Sequence, residues 1–179
     1  MTLSLAIASP SAEDQAVQFF QDSIGQWRSE RRYYTLKSGV IQEVVSDLNI
    51  CYLEADAPAL AALALAHGLG TALEMTCGLQ ISWDSQYVGP SQKSVQGATV
   101  FGLLGDVLYR DRGFATPEPV TAQFSFPTPR AMVLRTEYNQ SLFEEEVKLI
   151  GDRYRTRQTV ISRAGEEQMI GQYLERRVA

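Results

Sequence analysis

The chain has 179 residues, 45% hydrophobic and 21% charged, which fits one well-buried globular core and excludes a disordered, collagen-like or membrane-embedded chain. Its 16 Lys plus Arg against 21 Asp plus Glu leave a formal charge of −5, so a polyanion is repelled and no nucleic acid partner is expected. Two cysteines, Cys51 and Cys77, supply neither a disulfide framework nor the close spacing of a metal or redox motif, and reduced thiols in the cytoplasm are expected.

No stretch approaches the roughly 18 consecutive apolar residues of a membrane span, so no membrane insertion is expected. Met1–Ala8 lacks the basic flank and length of a secretion signal. The first periodic segment runs from Ser11 to Ile24, where Ser11 and Asp14 have the spacing of a helix N-cap with a carboxylate in the first turn. Ala16, Phe19, Phe20, Ser23, Ile24 and Trp27 recur at helical spacing, and Gly25 ends the helix.

From Trp27 the chain reads as strands rich in Val, Ile, Thr, Tyr and Phe, placed near 27–36, 40–54, 72–83, 94–103, 106–110, 120–126, 131–138, 141–150, 153–162 and 168–176. The separators are short, among them Lys37-Ser38-Gly39, Gly89-Pro90, Gly105, Asn139-Gln140 and Gly151-Asp152, which makes sequential strands antiparallel neighbours. Asp56 to His67 is the exception. Asp56 can cap, Pro58 suits the first turn, and the Ala/Leu run 59–66 favours a short inserted helix.

About ten strands in up-and-down order without crossover helices predict a mainly β fold, a closed antiparallel barrel in preference to a sandwich because closure removes sheet edges. The expected layout is one domain over 1–179, with the N-terminal helix at about 11–24 and the barrel at about 27–176.

Gly25-Gln26-Trp27 joins helix to strand with a sharp reversal and a large plug, a placement that resembles the lipocalin-like barrels. Several separated blocks read together carry a more specific resemblance. Phe19 to Arg32, Gly78-Leu79-Gln80-Ile81-Ser82-Trp83, Leu108 to Phe114, Thr136-Glu137-Tyr138, Glu144-Glu145 and Arg153-Tyr154-Arg155-Thr156 resemble, in order, the S-type phycobiliprotein lyases of the CpcS/CpeS family. The blocks reach from about residue 16 to 162. The resemblance implies a lipocalin-like barrel that binds a linear tetrapyrrole such as phycocyanobilin and joins it by a thioether bond to a cysteine of an α or β apo-phycobiliprotein subunit. The bilin is then the substrate, no cofactor is required, and Cys51 and Cys77 need not act as nucleophiles.

Strand alternation projects Arg153, Arg155 and Arg157 to one face, which is either a solvated outer face or a site that an anion must neutralise. Arginine binds carboxylates through a planar fork, which suits the two propionates of a bilin, and the family's ligand-binding arginines align with Arg153 and Arg155. On the preceding strand Glu145 travels with Phe143, Val147 and Leu149, so burial raises its pKa unless a cation or donor compensates. Its match to the family's pocket acid implies a general acid that makes the bilin more electrophilic, and Glu144 is the alternative if the register slips by one. Trp83 stands where the family has an aromatic wall, and it also reads as a core residue.

Arg110 and Arg112 flanking Asp111 are read as a salt-bridged turn in preference to a basic mouth, and His67 as a cation at a helix C-terminus. Three departures from the family stand out: Arg32-Tyr33-Tyr34 where histidine is frequent, a short turn at Gly151-Asp152, and Glu146 and Lys148 in place of less polar residues. Exposed positions such as Val44 and Ile50 suit a homodimer contact. The alternative function is a carrier resembling fatty-acid-binding proteins, in which the arginines hold one carboxylate and nothing is transferred. An assembly factor that binds the subunit without a chromophore is a third.

Overall fold

A computed structural model describes residues 9–70, 74–89 and 93–178. Helix α1, Ala12–Ser23, starts from a complete capping box: the Ser11 hydroxyl accepts from the Asp14 amide at 3.0 Å, and the Asp14 carboxylate accepts from the Ser11 amide at 3.0 Å. Gly25, at φ +126°, then reverses the chain into the first strand, a conformation that side chains oppose.

Ten antiparallel strands follow: β1 Gly25–Thr35, β2 Val40–Leu53, β3 Cys77–Val88, β4 Ser94–Leu104, β5 Val107–Arg110, β6 Val120–Thr128, β7 Ala131–Tyr138, β8 Ser141–Ile150, β9 Tyr154–Arg163 and β10 Glu166–Arg177. Each pairs with its neighbour in sequence, and β10 closes on β1, so the barrel has no free edge. Alternation fixes the interior. Odd-numbered residues face inward on β1, β3, β4, β8, β9 and β10, and even-numbered ones on β2, β5, β6 and β7, as the burial of Trp27, Leu48, Leu79, Leu103, Ala122, Leu134 and Leu149 shows.

One end of the bore is plugged. Ala16, Phe19 and Phe20 of α1 join Trp27, Ile50, Leu103, Met132 and Leu149 in the main core. The Trp27 indole N–H donates to the Ser23 carbonyl at 3.0 Å, and the guanidinium of Arg177 lies 4.3 Å from the centre of its ring. That guanidinium also donates to the Asp22 and Ile24 carbonyls at the end of α1, so the last strand ties down the helix that forms the floor.

The expected helix at 56–67 is α2, Pro58–Ala66, whose N-cap is Ala57 with no side-chain cap, not Asp56. It packs outside the barrel. Leu60, Leu63 and Ala64 form a second core with Met75, and only glycine fits beneath them, because a Cβ at Gly78 or Gly102 would collide with Leu60 or Met75.

The sequence reading of β3 as 72–83 needs correction. Residues 72 and 73 lie outside the described residues, Met75 belongs to the α2 core, and the strand runs on to Val88 because β2 offers partners as far as Glu43. Val44 and Ile50, expected on an exposed face, point into the barrel and are 3% and 1% exposed, so they offer no homodimer contact. Among the described residues no helix is long and apolar enough to cross a membrane.

Replacing Gly102 by Val should lower stability by about 1–3 kcal/mol through overpacking against Met75 and Leu63. Chemical denaturation would read this as a lower midpoint at unchanged slope, and an unchanged midpoint would contradict the packing described.

Candidate functional site

Above the Trp27 floor the bore widens into a cavity of about 530 Å³, within the range of roughly 300–1,000 Å³ usual for small-ligand sites. Five arginines line it: Arg31 on β1, Arg110 on β5, Arg112 just beyond, and Arg155 and Arg157 on β9. Guanidiniums at such positions need anions, and two buried glutamates supply part of the requirement. Glu175 on β10 lies directly across from Arg155 and is ion-paired to it, while it also accepts from the Ser29 hydroxyl at 3.1 Å. Glu145 on β8 is ion-paired to Arg157 and has Arg110 at 3.6 Å.

Burial pushes the Glu145 carboxyl upward, but Arg157 and Arg110 together outweigh it and hold the group below the ordinary glutamate range. Glu175 follows the same logic, burial opposing and Arg155 prevailing. Both carboxyls are therefore ionised at neutral pH. Glu145 and Glu175 thus answer Arg157, Arg110 and Arg155, while the half-buried Arg31 and the exposed Arg112 carry no ion pair among the described residues. The Nε groups of Arg110 and Arg157 are buried without a hydrogen-bond partner, as are the hydroxyls of Thr136 and Thr159 on inward faces of the neighbouring strands.

The walls are aromatic. Tyr173 on β10 lies beneath the guanidiniums of Arg31 and Arg157, at 5.3 and 5.6 Å from its ring centre, and its hydroxyl donates to that of Tyr33 at 3.3 Å. Trp83 on β3 faces the cavity from the other side, opposite Leu48 and Gly97 in register. Its indole lies flush over Gly97, where a Cβ would come within 2.5 Å of the ring.

A second groove, about 590 Å³, runs over the outer wall from β8 and β9 across β10 and β1 to β2 and the end of β3. Its Arg32 is paired with Glu43 at 2.8 Å in a largely exposed bridge, and no aromatic wall or buried ion pair of the interior kind is built from its outward-facing residues.

The structure brings together Glu145, Arg155, Arg157 and Trp83 of the residues expected from sequence, but not Arg153. Arg153 precedes β9 in the exposed turn after β8, at the plugged end of the barrel. Alternation assumed that the strand began one residue earlier than it does. Glu144 faces outward, 3.6 Å from Arg135, which settles the register in favour of Glu145. The expected salt-bridged turn at Arg110-Asp111-Arg112 is also corrected: Arg110 points inward to Glu145, and Asp111 accepts from Thr99 and the Val100 amide instead. His67 does cap the end of α2, and its Nε2–H donates to the Arg110 carbonyl at 2.9 Å.

Sequence reading missed Glu175, Tyr173 and Arg31. The available signal was parity: Gly171, Tyr173, Glu175 and Arg177 alternate along the last strand as Arg155 and Arg157 do along its neighbour.

The sequence model of the family described as "CpeS-like protein" matches residues 15–178. The chain is 53% identical over 166 residues to "Putative phycocyanobilin lyase CpcS 2" of Nostoc sp. strain PCC 7120, covering 93% of this chain and 92% of that protein. It is 45% identical over 177 residues to "Putative chromophore lyase CpcV" of Picosynechococcus sp. strain PCC 7002, covering 98% and 86%. Among solved structures, the S-type phycobiliprotein lyase CPES from Guillardia theta shares the fold, with a TM-score of 0.77 at 22% identity over 92% of this chain and 93% of that one.

Because Glu145 and Glu175 are held low when folded, the unfolded chain takes up their protons at higher pH than the folded one. Their stabilising contribution is complete above the ordinary value of about 4.3 and is lost as pH falls through their lowered values. Thermal unfolding measured from about pH 7 to 3 should show a plateau and then a fall below roughly pH 4. The fall should be shallower in Glu175→Gln, and an acid limb of unchanged steepness would argue against the buried pair.

Proposed function

This chain belongs to the CpeS-like protein family, and from that premise we propose that it is a bilin lyase. It takes up a linear tetrapyrrole such as phycocyanobilin and directs its attachment to a cysteine of a phycobiliprotein subunit in the cytoplasm. The observation that carries this reading is the surplus of guanidiniums over carboxylates around the cavity. A cavity closed at one end, walled by Trp83 and Tyr173 and lined by more guanidiniums than the two buried carboxylates answer, is complementary to a flat conjugated ligand bearing propionates.

In this reading the propionates engage the cationic wall, with the free Nε groups of Arg110 and Arg157 as donors and Arg31 and Arg112 nearer the rim. Trp83 stacks on the conjugated plane. Glu145 is a carboxylate before the ligand enters, so it begins as an acceptor for pyrrole N–H groups. When propionates draw Arg157 and Arg110 away, the attraction that kept its pKa low weakens and burial drives it upward. The bilin's own anionic groups thus turn Glu145 into a proton carrier beside the chromophore.

The acceptor thiol then adds across the ring A ethylidene. The carbon–sulfur bond forms as the carbon–carbon π bond is used, the thiol proton is balanced by one delivered to the tetrapyrrole, and nothing is oxidised or reduced. The protein supplies orientation and exclusion of water. No cofactor beyond the bilin substrate enters the scheme.

Mixing the protein with phycocyanobilin should give a prompt red-shifted complex, and adding apo-subunit a covalent, zinc-fluorescent product. A complex without any covalent product would favour the carrier alternative. Isothermal titration in buffers of differing ionisation enthalpy should show uptake of about one proton on binding near neutral pH, reduced in Glu145→Gln. Equal uptake by both proteins would overturn the proposed role of Glu145.

A further inference from the structure

The barrel mouth is closed on one side only. The segment between β5 and β6 leaves the wall at Arg110 and crosses the opening as a strap. Its start is pinned by Asp111, which accepts from Thr99 Oγ1 at 2.6 Å and from the Val100 amide at 3.1 Å. Gly113 follows, so close to Tyr138 that a Cβ would come within 2.9 Å of the ring, and the Ala115 amide donates to the Tyr138 hydroxyl at 2.8 Å. Between them Phe114 reaches Phe143 on β8 and Tyr33 on β1, with ring centres 5.9 and 6.5 Å apart. In the cyclic strand order β5 and β1 stand on nearly opposite walls, so the strap spans the bore.

The cavity lining has the same asymmetry. Toward the mouth it is bounded by the strap and by Tyr33, Val44, Ser85, Tyr87 and Val95 of β1 to β4, and by no described residue of β6, β7 or β8. Among the described residues the window therefore opens between the strap and the β2–β4 wall. Exposed apolar side chains collect at the same place. Leu36, Val40, Ile41, Val88 and Phe114 are five of the eleven large hydrophobics that are solvent-exposed among the described residues, at 42% to 58% exposure.

Resting on the bilin-lyase reading, we propose that the acceptor subunit docks on this rim and that its cysteine reaches ring A through the window between the strap and β2–β4. The occupant follows from the reaction. A thiol must come within bonding distance of a ligand held below the rim, so the partner that carries it covers the mouth during transfer. The sealed side, where Phe114 packs on Phe143 and Tyr138 stacks on Phe143 at 4.6 Å, leaves no comparable path among the described residues. The bond made is the thiol addition already given, with the same proton balance.

The test separates binding from transfer. Ile41→Asp combined with Val88→Asp places two charges on exposed rim positions outside the cavity. The variant should bind phycocyanobilin with the parental spectrum and an affinity within about twofold, while transfer to the apo-subunit falls about tenfold or more through a raised KM for the subunit. Ile150→Asp with Tyr154→Asp, exposed at the plugged end, should transfer at the parental rate. Parental transfer by the rim variant, or an equal loss in the plugged-end variant, would overturn the docking assignment. A parental protein that forms no spectral complex with phycocyanobilin would overturn the bilin-lyase reading itself, and the docking assignment with it.

Discussion

An arginine placed inside a β-barrel has to meet negative charge there, since an isolated buried ion costs several kcal/mol even after the surroundings relax. This requirement organises the interior. Glu175 answers Arg155 directly across the β9–β10 ladder, and Glu145 is shared between Arg157 and Arg110. The answer is incomplete, because the cations outnumber the acids and two guanidinium Nε groups have no partner. A purely structural network would close on itself. One that stops short holds its remaining attraction in reserve for something that comes and goes.

The scaffold is built to hold such a network still. Trp27 lies under Arg155 as well as Arg177, with the Arg155 guanidinium 4.9 Å from its ring centre, so floor and site share one indole. On the opposite wall the strand that ends in Arg110 is short, only Val107–Arg110, and it is stiffened from outside. His67 at the end of α2 bonds to the Arg110 carbonyl and packs edge-on against Tyr109, with ring centres 5.0 Å apart. The inserted helix thus positions a cation that it never touches through that cation's side chain.

Much of this was legible in the sequence because alternation and turn chemistry act locally. Asn139 and Gln140 both adopt positive φ in the two-residue link between β7 and β8, which fits the turn read from the Asn. The apolar company of Glu145 correctly announced that it faces inward. What failed depended on pairing at a distance. The start of β9 decides whether Arg153 belongs to the barrel, and β10 pairs Arg176 with Tyr154 as its last partner there, a fact with no local signal. Arg110 was misread because an adjacent aspartate is a plausible partner in one dimension, whereas the carboxylate it meets is 35 residues on. The sign of the Glu145 shift stayed open for the same reason, since burial was visible in the sequence and the two cations that compensate it were not.

Gly97 carries a consequence of a different kind. With a hydrogen where other residues have a methyl or more, the Trp83 indole can lie back against β4 and leave the bore clear. Any side chain at 97 would act as a shim against the indole, pushing it into the cavity that Trp83 and Tyr173 both line. The torsion angles of an open-chain tetrapyrrole set how far its conjugation extends, so under the proposed bilin-lyase reading the room left by the indole would also bear on colour. By this route a position that bears no functional group would choose which shape of chromophore is held, and at what wavelength it absorbs.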